Sequence, residues 1–103
     1  MTKKRSGRSL ALDALIAIEE EGAYANRILN SLFAKEQPEE KEKRLATELV
    51  FGTLRHRSRL DFLLNPLLTK ELSALPAAIR EVLRLSLYQL IFTAHPAYAV
   101  VNE

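Results

Sequence analysis

The 103-residue chain contains no cysteine, so it holds no disulfide, no thiolate nucleophile and no cysteine-ligated zinc or iron–sulfur cluster, a composition compatible with a reducing compartment. Glycine is scarce as well: Gly7, Gly22 and Gly52 stand far apart. A phosphate-cradling P-loop or a dinucleotide fingerprint needs clustered glycines, and neither can be assembled from these. His56 lies among arginines that would repel a cation, and His95 has no partner at metal-ligand spacing, so both read as surface or loop residues rather than ligands. No segment reaches the ~18 uncharged apolar residues of a membrane span. Lys3-Lys4-Arg5 is followed by Ser6-Gly7-Arg8-Ser9 rather than by the apolar region of an export signal. A cytoplasmic protein without a membrane partner is expected. No run alternates with period two and no Asn-Gly or Asp-Gly hairpin signal occurs, which leaves little basis for strands.

What the chain does have is helical periodicity throughout. With 48% hydrophobic and 27% charged residues it reads as one soluble globular domain, long enough to remove roughly 65% of its unfolded surface from water. After Ser9 as N-cap, Ala11, Leu12, Leu15, Ile16 and Ile18 form an apolar face, and Gly22 sits where a helix C-terminus wants a left-handed residue. The acids Glu19, Glu20 and Glu21 oppose the dipole there, so fraying is expected. Ala25, Ile28, Leu29, Leu32 and Phe33 follow the i, i+3, i+4, i+7, i+8 template of a second helix. Pro38 suits the first turn of a third, with Glu39, Glu40 and Glu42 at its positive end and Leu45, Leu49, Val50, Thr53 and Leu54 as its core stripe. Gly52 falls inside that helix, which predicts another helix crossing close against it. Leu60, Leu63, Leu64, Leu67 and Leu68 make a fourth segment that Asn65-Pro66 should bend or end. From Pro76 to about Thr93 the chain is apolar on most faces, which predicts a helix in the middle of a bundle. His95-Pro96 breaks it, and Ala97 to Glu103 reads as the beginning of one more helix, cut short. The fold class is all-α.

Charge supplies the functional signal. The formal net charge is only +2, but residues 1–8 carry +4 and residues 55–59 carry +3, leaving −5 for the remainder. A polyanion would meet two local sources of positive potential. Lys3, Lys4, Arg5 and Arg8 form a basic N-terminal arm or first turn, residues 1–8, ahead of a helical domain over 9–103. On a continuous helix Arg55 and Arg59 share a face while Arg57 lies well round from them. Lys4, Arg5, Arg8, Arg55 and Arg59 are therefore the candidate RNA contacts. Arg80 and Arg84 form another basic pair, but on an otherwise buried helix arginines commonly edge the core and pair with acids such as Glu48 or Glu81. Glu48 borders its helix's core stripe and should find Arg44, Arg55 or Arg84. Tyr24, Tyr88 and Tyr98 could stack on bases, although a place in the core is the commoner use of tyrosine in a helix. Glu39, Glu40 and Glu42 are explained by a helix start and carry no catalytic assignment.

Arg8 with Ala11-Leu12, Gly22 to Asn26, Ala46 to Arg55, Leu60-Asp61, Leu75-Pro76, Ile79-Arg80, Leu83 to Leu85, Tyr88 to Leu90 and Pro96 to Glu103 together resemble the NusB-like N-terminal domain of Sun/Fmu-type methyltransferases, which modify cytosine C5 in 16S ribosomal RNA. The likeness runs from about Arg8 to Glu103, with Ala46 to Arg55 and Leu83 to Gln89 closer to the methyltransferase branch than to the transcription antitermination factor NusB. It implies two three-helix halves with the last helix truncated, RNA binding at the basic start, and Arg5 and Arg8 as the best-matched positions, Lys3 and Lys4 fitting loosely. It also implies a C-terminal methyltransferase domain, with its S-adenosylmethionine pocket and two cysteines, that has no counterpart in these residues. No cofactor and no methylation are expected of this chain alone. The expected role is an RNA-binding accessory domain that positions ribosomal RNA. An antitermination factor acting with a ribosomal protein, or a helical scaffold, is the alternative. A groove left by the truncated helix makes a homodimer possible.

Overall fold

The computed structural model describes residues 4–22 and 24–93, and every regular element among them is helical. In chain order these are α1 (Gly7–Glu21), α2 (Ala25–Glu36), α3 (Glu40–Arg55), α4 (Arg57–Leu64) and α5 (Ala77–Phe92), with 3-10 turns at Asn65–Leu67 and Leu72–Ala74 between the last two. The all-α class stands. The expected final helix from Ala97, with His95 and Tyr98, lies outside the described residues.

Ser6, rather than Ser9, begins α1: its hydroxyl accepts the Ser9 backbone N–H at 3.1 Å while its own backbone stays extended. Arg8 therefore belongs to the first turn of the helix. At the other end Gly22 adopts φ 69° and its N–H donates to the Ile18 carbonyl at 2.9 Å. The three acids do not unwind that end, because the left-handed cap closes it and Glu19 is held by arginines of α5.

α1 occupies the middle of the bundle, against α2, α3 and α5. Its inner face sets the small Ala11 and Ala14 between Leu10 and Leu15, so α3 can approach closely with Ala46, Leu49 and Val50. Gly7 lets the approach continue to the helix start: a β-carbon there would come within 2.9 Å of Leu45 Cβ. The Gly7 N–H donates to Glu42 Oε1 at 2.6 Å, which ties the N-terminus of α1 to the first turn of α3. Pro38 is buried just ahead of the N-cap Glu39, one step outside the helix rather than in its first turn.

Gly52 meets the close crossing expected of it, and the structure names the partner: the place a β-carbon would take is filled by the ring of Tyr88 from α5. Immediately afterwards the helix breaks. His56, at φ −102° and ψ 17°, separates α3 from α4, so the continuous helix through Arg55 and Arg59 is not formed. The break turns the imidazole inward, where it stacks on Phe92 with ring centres 4.1 Å apart and planes 19° from parallel. Asn65-Pro66 ends α4 in a single 3-10 turn, and Asn65 Oδ1 accepts the Leu72 N–H at 2.8 Å.

α5 departs from its expected central position. It buries one face only, through Glu81, Arg84, Leu85 and Tyr88, and exposes Ile79, Val82, Leu90 and Ile91. An almost uniformly apolar helix carries no periodic instruction about which side to bury. The choice falls to its charged side chains, whose partners lie on α1 and α4.

Candidate nucleic-acid interface

The basic N-terminus is built on a helical spacing. Arg5, Ser9 and Asp13 are four residues apart, and the Arg5 guanidinium donates to Ser9 Oγ and to Asp13 Oδ2, both at 2.6 Å, with Glu36 Oε2 at 3.7 Å. Arg5 is thus fixed between α1 and α2 by two carboxylates, part of its charge already answered. Lys4 and Arg8 are exposed, and Arg8 donates to Ser86 Oγ of α5 at 3.1 Å. At the second cluster Arg55, Arg57 and Arg59 are all exposed, and none has an ion-pair partner among the described residues. Arg55 ends α3 and Arg59 lies in α4, so the break at His56, not a shared helical face, sets their directions. Among the described residues no hydrogen bond or ion pair links the two clusters.

Glu48 is exposed and makes no ion pair among the described residues, against the expectation of an arginine partner. Its helix turns it outward, where water solvates it. Its charge is felt at Tyr88, whose phenol is raised above its ordinary range by burial first and Glu48 second, with Arg55 opposing. Tyr24 is exposed, whereas Tyr88 is in the core and cannot stack on a base.

Arg80 and Arg84 are not a nucleic-acid stripe. Arg80 Nε donates to Glu19 Oε1 at 2.7 Å and its guanidinium also reaches the backbone carbonyls of Leu72, Ser73 and Leu75. Arg84 forks onto Asp61, with Nε to Oδ1 at 2.7 Å and Nη2 to Oδ2 at 2.8 Å, and donates from Nη1 to Glu81 Oε2 at 2.7 Å. The pairing with acids expected of them holds for Glu81, but Glu19 and Asp61 stand where Glu48 was expected. A recess of about 290 Å³ beside them is lined by Glu19, Arg57, Asp61, Glu71, Arg80 and Arg84, in which acids and arginines balance. Such a mixture is not an anion site.

Within this network Glu81 is 4% exposed and is pushed up to about 7, by burial first and then by the hydrogen bond it shares with Glu19, while Arg84 acts in the opposite sense. Burial also opposes ionisation of Glu19, but the hydrogen bonds with Glu81 and Arg80 and the charges of Arg80 and Arg84 outweigh it and hold that carboxyl below its ordinary value. Arg84 stays charged: burial works against it, and the bonds and charges of Asp61 and Glu81 more than compensate.

Two of the three glycines are closely packed, Gly52 against Tyr88 and Gly7 against Glu42 and Leu45, so neither opens a backbone cradle. Among the described residues no group of three or more histidines and carboxylates could hold a metal ion, and no helix is long and apolar enough to cross a membrane.

The profile of the NusB family matches residues 5–103. A protein called probable ribosomal RNA small subunit methyltransferase B, from Bacillus subtilis (strain 168), is 39% identical over 102 residues, 98% of this chain and 23% of that relative. Ribosomal RNA small subunit methyltransferase B from Escherichia coli O1:K1 / APEC is 34% identical over 103 residues, 100% of this chain and 24% of the relative. This chain thus spans about a quarter of the length of the curated relatives it matches. No solved structure matches it. The family match covers all but the first four residues, every regular element among the described residues is helical, and the chain belongs to the NusB family.

Proposed function

We propose that this chain is an RNA-binding accessory domain that helps position ribosomal RNA for a cytosine-C5 methyltransferase domain outside these residues. The observation that carries the reading is the set of exposed arginines at the α3–α4 break, Arg55, Arg57 and Arg59, without ion-pair partners among the described residues. The names of the relatives support the substrate class. Arg55, Arg59, Arg8 and Lys4 contact phosphates. Arg5, held by Asp13 and Glu36, shapes the approach to the helix start more than it adds free charge. S-adenosylmethionine and the reacting cysteines belong to the catalytic domain, this chain's covalent partner. The protein works in the cytoplasm, and self-association is compatible with the role. The relatives favour this reading over a transcription antitermination factor.

RNA titration at several salt concentrations tests it. About four phosphate contacts give a log–log slope near −3 with single strands. Arg55→Ala with Arg59→Ala should flatten it by about 1.4, and Arg5→Ala by much less. Binding that ignores salt, or a slope unchanged by the Arg55 and Arg59 substitutions, overturns the assignment.

A further inference from the structure

The segment from Phe62 to Glu71 builds a recess that core packing leaves open. Asn65-Pro66 ends α4, Leu68 continues in extended backbone at φ −106° and ψ 149°, and the Leu72 N–H donates to Asn65 Oδ1 at 2.8 Å, which draws the segment back on itself. The recess so bounded has about 570 Å³, with Phe62, Asn65, Pro66, Lys70 and Glu71 in its lining. Phe62 presents an aromatic ring that is 77% exposed. It lies on the side of α4 away from the buried Leu60 and Leu64, and it shares that outer face with Arg59, three residues earlier. Arg59 and Lys70 are exposed, and neither makes an ion pair among the described residues.

We infer that this recess seats one unpaired base of single-stranded RNA, with Phe62 as the stacking surface; the inference rests on the RNA-binding role proposed above and adds what that role reads. The three chemistries a nucleotide calls for stand together here. Its flat face stacks on an exposed aromatic ring. Its polar edge meets Asn65, whose oxygen is engaged by Leu72 and whose NH2 group has no partner among the described residues, and Glu71, whose carboxylate accepts from an exocyclic amine. Its phosphates meet Arg59 and Lys70, on either side of the ring in sequence. The volume falls within the roughly 300–1,000 Å³ of small-molecule sites. Glu71 also sorts base from backbone, because a phosphate inside the recess would meet its negative charge. A duplex offers nothing to this seat, since its bases are already stacked and paired. An apolar helix of a protein partner fits it poorly, because Asn65, Lys70 and Glu71 would lose their water without gaining partners.

Titration of the full 103-residue chain with oligoadenylate, single-stranded or paired with oligouridylate, tests the seat. Phe62 is exposed, so its substitution should leave helical circular dichroism unchanged. Phe62→Ala should weaken single-strand binding on the order of tenfold at an unchanged salt slope, because stacking releases no counterions. Phe62→Trp should restore the affinity. The chain contains no tryptophan, so that substitution also installs a single indole reporter, whose emission the single strand should quench as a base stacks on it. Binding of the duplex should be the same with and without Phe62→Ala. Phe62→Leu that binds as tightly as the unsubstituted chain overturns the seat in favour of a plain apolar contact, and so does an indole whose emission the strand leaves unquenched. An equal loss for the duplex overturns it as well. If Phe62→Ala changes nothing while the salt slope still responds to Arg55 and Arg59, the recess belongs to a protein contact and the phosphate contacts stand without it. If the unsubstituted chain shows no salt-dependent binding, the seat and the RNA-binding role beneath it fall together.

Discussion

The first three helices and the last two use leucine differently. In α1–α3 the large apolar side chains point inward, and the exposed exceptions among the described residues are Tyr24 and Leu45. In α4, its following turn and α5, seven are exposed, and the buried side of α5 carries Glu81 and Arg84. The first region shows hydrophobic period choosing the buried face. The second shows charge choosing it, since a helix apolar all round is indifferent until Arg84 must reach Asp61 and Arg80 must reach Glu19.

Removing the charged fastening should break this contrast most strongly. Arg84→Ala leaves Asp61 and Glu81 without their guanidinium in a buried site and should cost about 3–5 kcal/mol. Native-state hydrogen exchange should show α4 and α5 losing protection while α1–α3 keep more of theirs. Equal loss in all five helices would mean that the two regions are one cooperative unit.

Acidity sharpens the same point with a smaller effect. A carboxyl whose folded value is raised, as at Glu81, binds its proton more tightly in the folded state, so stability falls as pH rises from about 4.5 to about 7. Glu19 is lowered, so its contribution is lost instead as pH falls below the ordinary carboxylate range. Thermal stability should therefore peak in mildly acid solution. Glu81→Gln, which imitates the protonated group, should gain on the order of 2 kcal/mol over the parent at pH 8 and almost nothing at pH 5. Parallel melting-temperature curves for parent and variant from pH 5 to pH 8 would remove the carboxyl pair from the account.

The aromatic side of the junction should show the smallest effect. Gly52→Ala gains about 1 kcal/mol of helix propensity but places a β-carbon in the ring of Tyr88, itself stacked against Phe92 with centres 5.2 Å apart. Overpacking of this kind costs about 1–3 kcal/mol, so a net loss of up to about 2 kcal/mol is expected, read as a lower urea midpoint. A gain in stability would show that Tyr88 moves aside easily.

These features differ in how far the sequence reveals them. The Gly52 crossing was legible because a mid-helix glycine needs a reason, and the cap at Gly22 because few residues accept its backbone angles. The clamp on Arg5 was legible in principle from the spacing of Arg5, Ser9 and Asp13, but charge alone suggested a freer arm. Glu19 with Arg80 was not legible, since 61 residues separate them and only the tertiary fold brings them together. The break at His56 was hidden for a related reason: nothing local stops the helix there, and its stacking partner Phe92 lies on a different element. Of the candidate RNA contacts, Lys4, Arg8, Arg55 and Arg59 reach the surface as their charge suggested, whereas their grouping depended on a helix that does not continue.

Gly22 has no neighbouring atom within 4 Å of where a β-carbon would stand, yet its φ of 69° excludes most side chains. What forbids substitution there is chirality, not room. In a chemically synthesised chain, D-alanine at this position would fit the turn and restrict the unfolded ensemble, where L-alanine would strain it. One inverted stereocentre would thus make the joint between the first two helices stiffer than evolution could with its natural alphabet.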